Sequence, residues 1–167
     1  MDKILKIYSE IEEFQYIYNL IAAKEGEEIY LSKNRFIKPL KSYHRIPSFG
    51  YTVFETTKKL RKEYISCKPD ELIRLKEEGI VFTDEKKNPI ISFSGDSKIE
   101  YILNNKEVTG SKILFLECTY IDDKRDVERA RKWGHIHLDE IINYANEFEN
   151  DKIVLFHFSK RYSNNYI

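Results

Sequence analysis

Lys112-Ile113-Leu114-Phe115-Leu116-Glu117-Cys118-Thr119 carries four apolar residues in succession and then an acid, with no alternation of polar and apolar positions. A strand of that pattern is one covered on both faces, as in sheets flanked by helices. Ile90-Ile91-Ser92-Phe93-Ser94-Gly95-Asp96 reads the same way and closes on a small-residue turn with an acid at its tip. Lys152-Ile153-Val154-Leu155-Phe156 is a third such strand, and it delivers His157 at its end. Between the second and third strands lie a helical turn or two over Asp126 to Lys132 and a better helix over Leu138 to Phe148. Ile141, Ile142, Ala145 and Phe148 mark the inner side of that helix. Strands alternating with helices place the chain in the α/β class, as a sheet with covering helices.

Working back toward the amino terminus, Ile4, Ile7, Ile11, Phe14, Ile17, Tyr18 and Ile21 recur at threes and fours, which predicts a helix over residues 3 to 23. Glu25-Gly26-Glu27 ends it. Ile29-Tyr30-Leu31 and Phe36-Ile37-Lys38-Pro39-Leu40 read as short strands around the turn Ser32-Lys33-Asn34. His44-Arg45-Ile46-Pro47-Ser48 is a loop leading into the strand Phe49 to Phe54. Thr56 to Glu63 is polar and lysine-rich, Pro69 to Gly79 is a short helix with Pro near its start and Gly at its stop, and Asp84 to Pro89 reads as a charged turn.

The 167 residues suffice for one cored domain, which at this size buries roughly two-thirds of the surface of the unfolded chain. Lys plus Arg and Asp plus Glu each number 28, so the formal charge is zero. That balance speaks against a module with a strongly basic nucleic-acid footprint, while leaving room for local basic patches. Cys67 and Cys118 sit in no short metal-binding spacing and suit a reducing compartment. The absence of an apolar leader and of any apolar run long enough to span a bilayer makes cytoplasm the expected location, with no membrane partner.

His44 before one strand, Asp96 after another and His157 after the last all carry metal-ligand chemistry at the ends of strands, where open α/β folds build their sites. Zinc accepts imidazole nitrogen and carboxylate oxygen together. Taken singly, each has a plainer reading: His44 as a surface loop residue, Asp96 as a helix cap, His157 satisfying a hydrogen bond at a strand end. Glu117 follows Ile113-Leu114-Phe115-Leu116 and needs a partner, since an unpaired carboxylate in low dielectric is costly. His135 or His137 could supply it, forming a carboxylate–histidine relay, with helix capping as the alternative for either. Ser159, Lys160, Arg161, Tyr162 and Ser163 set cations and hydroxyls beside His157, either a phosphate clamp or a solvated charge cluster. Lys58, Lys59, Arg61 and Lys62 form a further basic run, read as a contact to a polyanion backbone or as wet surface.

Five segments in order resemble the carboxyl-terminal half of ribonuclease Z, the tRNA 3′-end endonuclease of the metallo-β-lactamase superfamily. They are His44-Arg45-Ile46-Pro47-Ser48-Phe49-Gly50-Tyr51, Phe93-Ser94-Gly95-Asp96-Ser97, Leu116-Glu117-Cys118-Thr119-Tyr120, Gly134-His135-Ile136-His137-Leu138 and His157-Phe158-Ser159-Lys160-Arg161-Tyr162. The resemblance implies an incomplete metallo-β-lactamase-like αββα sandwich spanning residues 1–167 as a single partial domain. It implies that His44 and His157 each ligate one of two zinc ions, that Asp96 bridges them, and that Glu117 and His135 form a catalytic acid–histidine pair. Ser159, Arg161 and Tyr162 would then lie against the substrate phosphate.

The family's HxHxDH signature is missing: the four histidines stand at positions 44, 135, 137 and 157. The ligands present are too few for the three or four that each zinc usually takes, so the isolated chain is expected to bind metal weakly or not at all. The resemblance therefore implies either a zinc-dependent phosphodiesterase inactive without an amino-terminal half in trans, or a noncatalytic interaction protein or truncated remnant of the same fold. The implied partners are that amino-terminal half or a second copy, and pre-tRNA if a complete site assembles.

Overall fold

The computed structural model describes residues 1–163. Six strands, β1 (Ile29–Ser32), β2 (Arg35–Lys41), β3 (Phe49–Leu60), β4 (Thr83–Phe93), β5 (Ile113–Glu117) and β6 (Lys152–Phe156), form one sheet in chain order. β1 through β4 pair antiparallel, whereas β4, β5 and β6 run parallel. The helices are α1 (Asp2–Ile11), α2 (Pro69–Glu77), α3 (Glu100–Leu103), α4 (Lys106–Thr109), α5 (Val127–Trp133) and α6 (Leu138–Asn143). Among the described residues no helix is long and apolar enough to cross a membrane.

The apolar strands are explained by what lies on one side of them. Leu114 and Leu116 of β5 are fully buried against Ile99, Tyr101, Ile102, Val108, Ile136 and Ile141, contributed by α3, α4, α6 and the loops beside them. Each such side chain contributes roughly 1.5–3 kcal/mol when removed from water, so this cluster dominates the stability of the half-sheet. Gly50 is required in β3 because any Cβ there would collide with the Tyr101 ring.

The other side of the sheet is uncovered around Tyr51, Ile91 and Phe93, while Pro39 of β2 and Glu117 of β5 are buried on it. Tyr51, Phe93, Phe115 and Val154 form one register row across β3 to β6, with Val53, Ile91 and Ile113 in the row beside it. Tyr51, Ile91 and Phe93 remain 39%, 37% and 43% exposed, and Phe93 stacks on Phe156 at 4.7 Å between ring centroids. An ordered apolar row open to water is the signature of a surface built to be covered.

Three expectations are corrected. The periodic segment at the amino terminus is helical only to Ile11, and Glu13 adopts a left-handed backbone (φ 50°). Its apolar face finds nothing to pack on: Ile11, Phe14, Ile17 and Ile21 are all exposed, and an unsupported amphipathic helix gains little by continuing. Asp84 to Pro89 is strand, since Arg61 pairs with Asp84 at 2.8 Å and Lys58 with Glu85 at 3.6 Å. The charge run is thus a cross-strand ladder. The helix after Leu138 stops at Asn143, followed by a 3₁₀ turn over Ala145–Glu147, and Ile142 points to solvent.

Candidate metal centre

Glu117 ends β5 with its carboxylate wholly buried on the side of the sheet that carries Phe115. It is satisfied by backbone amides as well as side chains. Oε1 accepts from the amides of Ser97 (3.3 Å) and Ile136 (3.2 Å), and Oε2 from the amide of Thr119 (3.0 Å) and its hydroxyl (2.9 Å). His135 Nδ1 lies 3.0 Å from Oε1, so of the two candidate partners His135 is the one that meets Glu117. His137 instead caps α6, its Nδ1 accepting from the amide of Asp139 at 3.1 Å.

A carboxylate only accepts, so His135 donates from Nδ1 and its Nε2 keeps a lone pair. Thr119 extends the same logic. Its single hydroxyl proton goes to Glu117, so the 3.0 Å contact with His157 Nδ1 is a donation from the imidazole, which again leaves Nε2 as acceptor. His44 Nδ1 sits 3.0 Å from the Gly134 carbonyl, another obligate acceptor, with the same result. Three histidines therefore hold the tautomer suited to ligating a cation through Nε2, each fixed by an outer partner, as metal-binding imidazoles usually are.

The rings are neighbours. His135 lies between the other two, its centroid 5.1 Å from His44 and 5.3 Å from His157. Asp96 closes the group: its Oδ1 is 3.5 Å from His157 Nε2, and ligand atoms of Asp96, His135 and His157 lie within 4.8 Å of one another. His44 stands beside this group of three. Asp96 caps no helix, because α3 begins at Glu100 with Ile99 at its N-cap. Its loop is tied to that of His44 by Ser42 Oγ donating to the Asp96 carbonyl (2.6 Å) and the Tyr43 amide donating to Ser97 Oγ (3.0 Å). His157 follows β6 with a left-handed backbone (φ 63°), a conformation rare outside glycine that is retained where surrounding structure enforces it.

Nitrogen and carboxylate donors converging with their outer partners in place suit a divalent ion such as zinc, so His44, Asp96, His135 and His157 are the residues that could hold one. The hydrogen bond to Glu117 raises His135 above the ordinary histidine range; burial opposes the shift, and the negative charges of Glu117 and Asp96 add to it. On the far side of the loop, Tyr162 donates to Asp122 Oδ1 at 3.1 Å and accepts from the Ile121 amide at 3.1 Å. It joins Arg161, Lys124 and Arg125 around a depression of about 260 Å³. Ser159 is held through its amide, which donates to the Thr119 carbonyl at 3.0 Å. Sequence reasoning assigned no role to Thr119 or to the Gly134 carbonyl. Thr119 was legible in principle, since a strand places residues two apart on one face.

No protein-family model matches the sequence. The chain is 36% identical over 165 residues to tRNase Z TRZ1 of Arabidopsis thaliana, covering 98% of this chain and 59% of that protein. Among solved structures it superposes on human tRNase Z, short form, with a TM-score of 0.58 at 17% identity, over 96% of this chain and 57% of that one. It matches the metallo-β-lactamase fold protein YhfI of Bacillus subtilis with a TM-score of 0.54 at 16% identity, over 94% of this chain and 51% of that one. The chain spans about half the length of the curated relatives it matches.

Proposed function

This chain is a ribonuclease Z-like half of the metallo-β-lactamase fold, and on that premise we propose that it supplies one half-site of a zinc-dependent tRNA 3′-end endonuclease, completed by an HxHxDH-bearing half. The observation that carries the reading is the common tautomer of His44, His135 and His157, each with its proton on Nδ1, with His135 and His157 grouped around Asp96. Residues 1–167 are read as one partial domain acting in the cytoplasm.

In this reading His44, Asp96 and His157 would hold the zinc. Zinc, when bound, would supply activation of water and neutralisation of charge on the phosphate. Glu117 holds the proton on His135 Nδ1 and leaves Nε2 as the atom that takes up a proton and passes it to a leaving oxygen. Arg161 offers a planar donor fork to a phosphate, Ser159 a hydroxyl, and Tyr162 secures the loop that carries them.

The open apolar surface of Tyr51, Ile91 and Phe93 supports a covering partner, and it equally favours a second reading, a docking protein without catalysis. Mixing the chain with an HxHxDH-bearing half and assaying pre-tRNA cleavage separates them. The endonuclease reading expects cleavage that neither part shows alone and that Asp96→Ala abolishes. An Asp96→Ala chain that complements as well as the parent overturns it, and assembly without cleavage favours docking.

A further inference from the structure

Trp133 closes α5 at the surface, although the inner face of that helix is already provided by the fully buried Ala130. The ring is 45% exposed and is not needed for the core. It is nevertheless held in place. Gly134, in a left-handed conformation (φ 85°), ends the helix and offers its carbonyl to His44, and the next residue, Arg45, lays its guanidinium 4.7 Å from the centroid of the Trp133 ring. A cation over an indole face is a firm contact that keeps the ring in one orientation.

Three depressions meet at this ring. One of about 210 Å³ joins Trp133 to His44 and His135. Another of about 250 Å³ runs between Arg45 and Lys132, and a third of about 590 Å³ continues along α5 past Lys124, Arg125 and Arg129. The path thus leads from the histidine cluster, over an aromatic face, onto a basic strip. Against the cations Arg45, Lys124, Arg125, Arg129 and Lys132 stand Asp122, Asp126 and Glu128, of which Asp122 accepts from the Tyr162 hydroxyl and Asp126 is engaged in capping α5 through the Arg129 amide at 2.8 Å. Arg131 of the same helix turns inward to Glu100 and Glu140. In a chain of zero net charge this is a local concentration of positive charge beside an exposed aromatic ring. That combination recognises single-stranded nucleic acid: bases stack on aromatic faces whatever their identity, and cations follow the phosphates.

We propose that Trp133, braced by Arg45, is the stacking platform for a base of a single-stranded RNA segment that leaves the histidine cluster along α5, with Lys124, Arg125, Arg129 and Lys132 following its phosphates. The proposal deepens the endonuclease reading and rests on it for the direction of the strand. Trp133 is a positioning residue and touches no reacting atom.

The sequence contains one tryptophan, so tryptophan emission, excited selectively over tyrosine, reports on this position alone. Titrating the 167-residue chain with single-stranded oligo(rA) is expected to quench that emission, whereas polyphosphate of equal charge binds the basic strip without quenching. With dye-labelled oligo(rA), Trp133→Ala should bind about tenfold more weakly, the loss of one stacked base, while Trp133→Phe, which keeps a π-face and controls for folding, stays near the parent. Oligo(rA) that binds without quenching, or a Trp133→Ala chain that binds as well as the parent, overturns the proposal. Pre-tRNA cleavage by the complemented pair separates the two readings. Quenching without cleavage leaves the platform and removes the endonuclease, and cleavage without quenching does the reverse.

Discussion

Thr119 Oγ1 sits 3.0 Å from His157 Nδ1 while donating its own proton to Glu117. One buried carboxylate therefore sets the tautomer of two imidazoles, His135 directly and His157 through a hydroxyl. The two histidines come from segments far apart in the chain, and Glu117 is the group that makes them chemically alike.

Removing that hydroxyl should loosen His157. With the site completed in trans, Thr119→Val is expected to weaken zinc binding about 10- to 100-fold, the usual cost of losing an outer partner of a ligating histidine, and Thr119→Ser should restore most of it. Competition against a zinc-sensitive dye measures both. Equal affinities for parent and Thr119→Val would remove the relay from the account.

Gly134 combines a left-handed backbone with a Cβ position that would come within 2.7 Å of His44 Nδ1 and 3.0 Å of the Arg45 amide. Gly134→Ala should destabilise the chain by about 1–3 kcal/mol in urea unfolding, from backbone strain and overpacking together. It should also displace the His44 ring, visible as a shift of its imidazole resonances.

The pairing of His135 with Glu117 carries a sign. Because the folded-state pKa of His135 is raised, the stabilisation from the pair is complete below the unfolded pKa and is lost as pH rises through the folded one. In the metal-free chain, Glu117→Gln should therefore lower the His135 titration midpoint seen by NMR and flatten that part of the stability–pH curve. An unchanged midpoint would mean that the hydrogen bond does not hold the proton.

Burial pushes the Cys118 thiol up to about 12, with the nearby Glu117 and Glu140 charges adding to the effect, whereas Cys67 is only partly covered. Iodoacetamide at mildly alkaline pH should modify Cys67 and spare Cys118, since the thiolate is the reactive form. Mass spectrometry of the digested chain reads the ratio. Rapid labelling of Cys118 would place the end of β5 outside the core.

Where neighbours in sequence decide the outcome, the fold was legible. The unbroken apolar runs at Ile113–Leu116 and Ile153–Phe156 became adjacent parallel strands, and Pro69 with Gly79 bracketed α2 as their chemistry requires. Long-range facts were not legible. The helical period of residues 3 to 23 is real, but a period states only which face would be buried and is silent on whether a surface exists to bury it. Asp84 and Glu85 look like a turn until Lys59 and Lys58 of β3 lie opposite them. At the site, residue types at strand ends pointed to His44, Asp96, Glu117 and His157, and the need of a buried acid for a partner pointed from Glu117 toward His135 or His137. The selection of His135, the capping role of His137 and the bracing of His44 by a carbonyl all depend on where the Gly134 turn places the backbone.

The central claim is that His44, His135 and His157 all carry their proton on Nδ1 and offer Nε2 to one centre. Long-range proton–nitrogen correlation NMR on the ¹⁵N-histidine-labelled chain reads each tautomer directly. The account predicts that these three have a protonated Nδ1 and an unprotonated Nε2. A His44 or His157 protonated at Nε2 would contradict it.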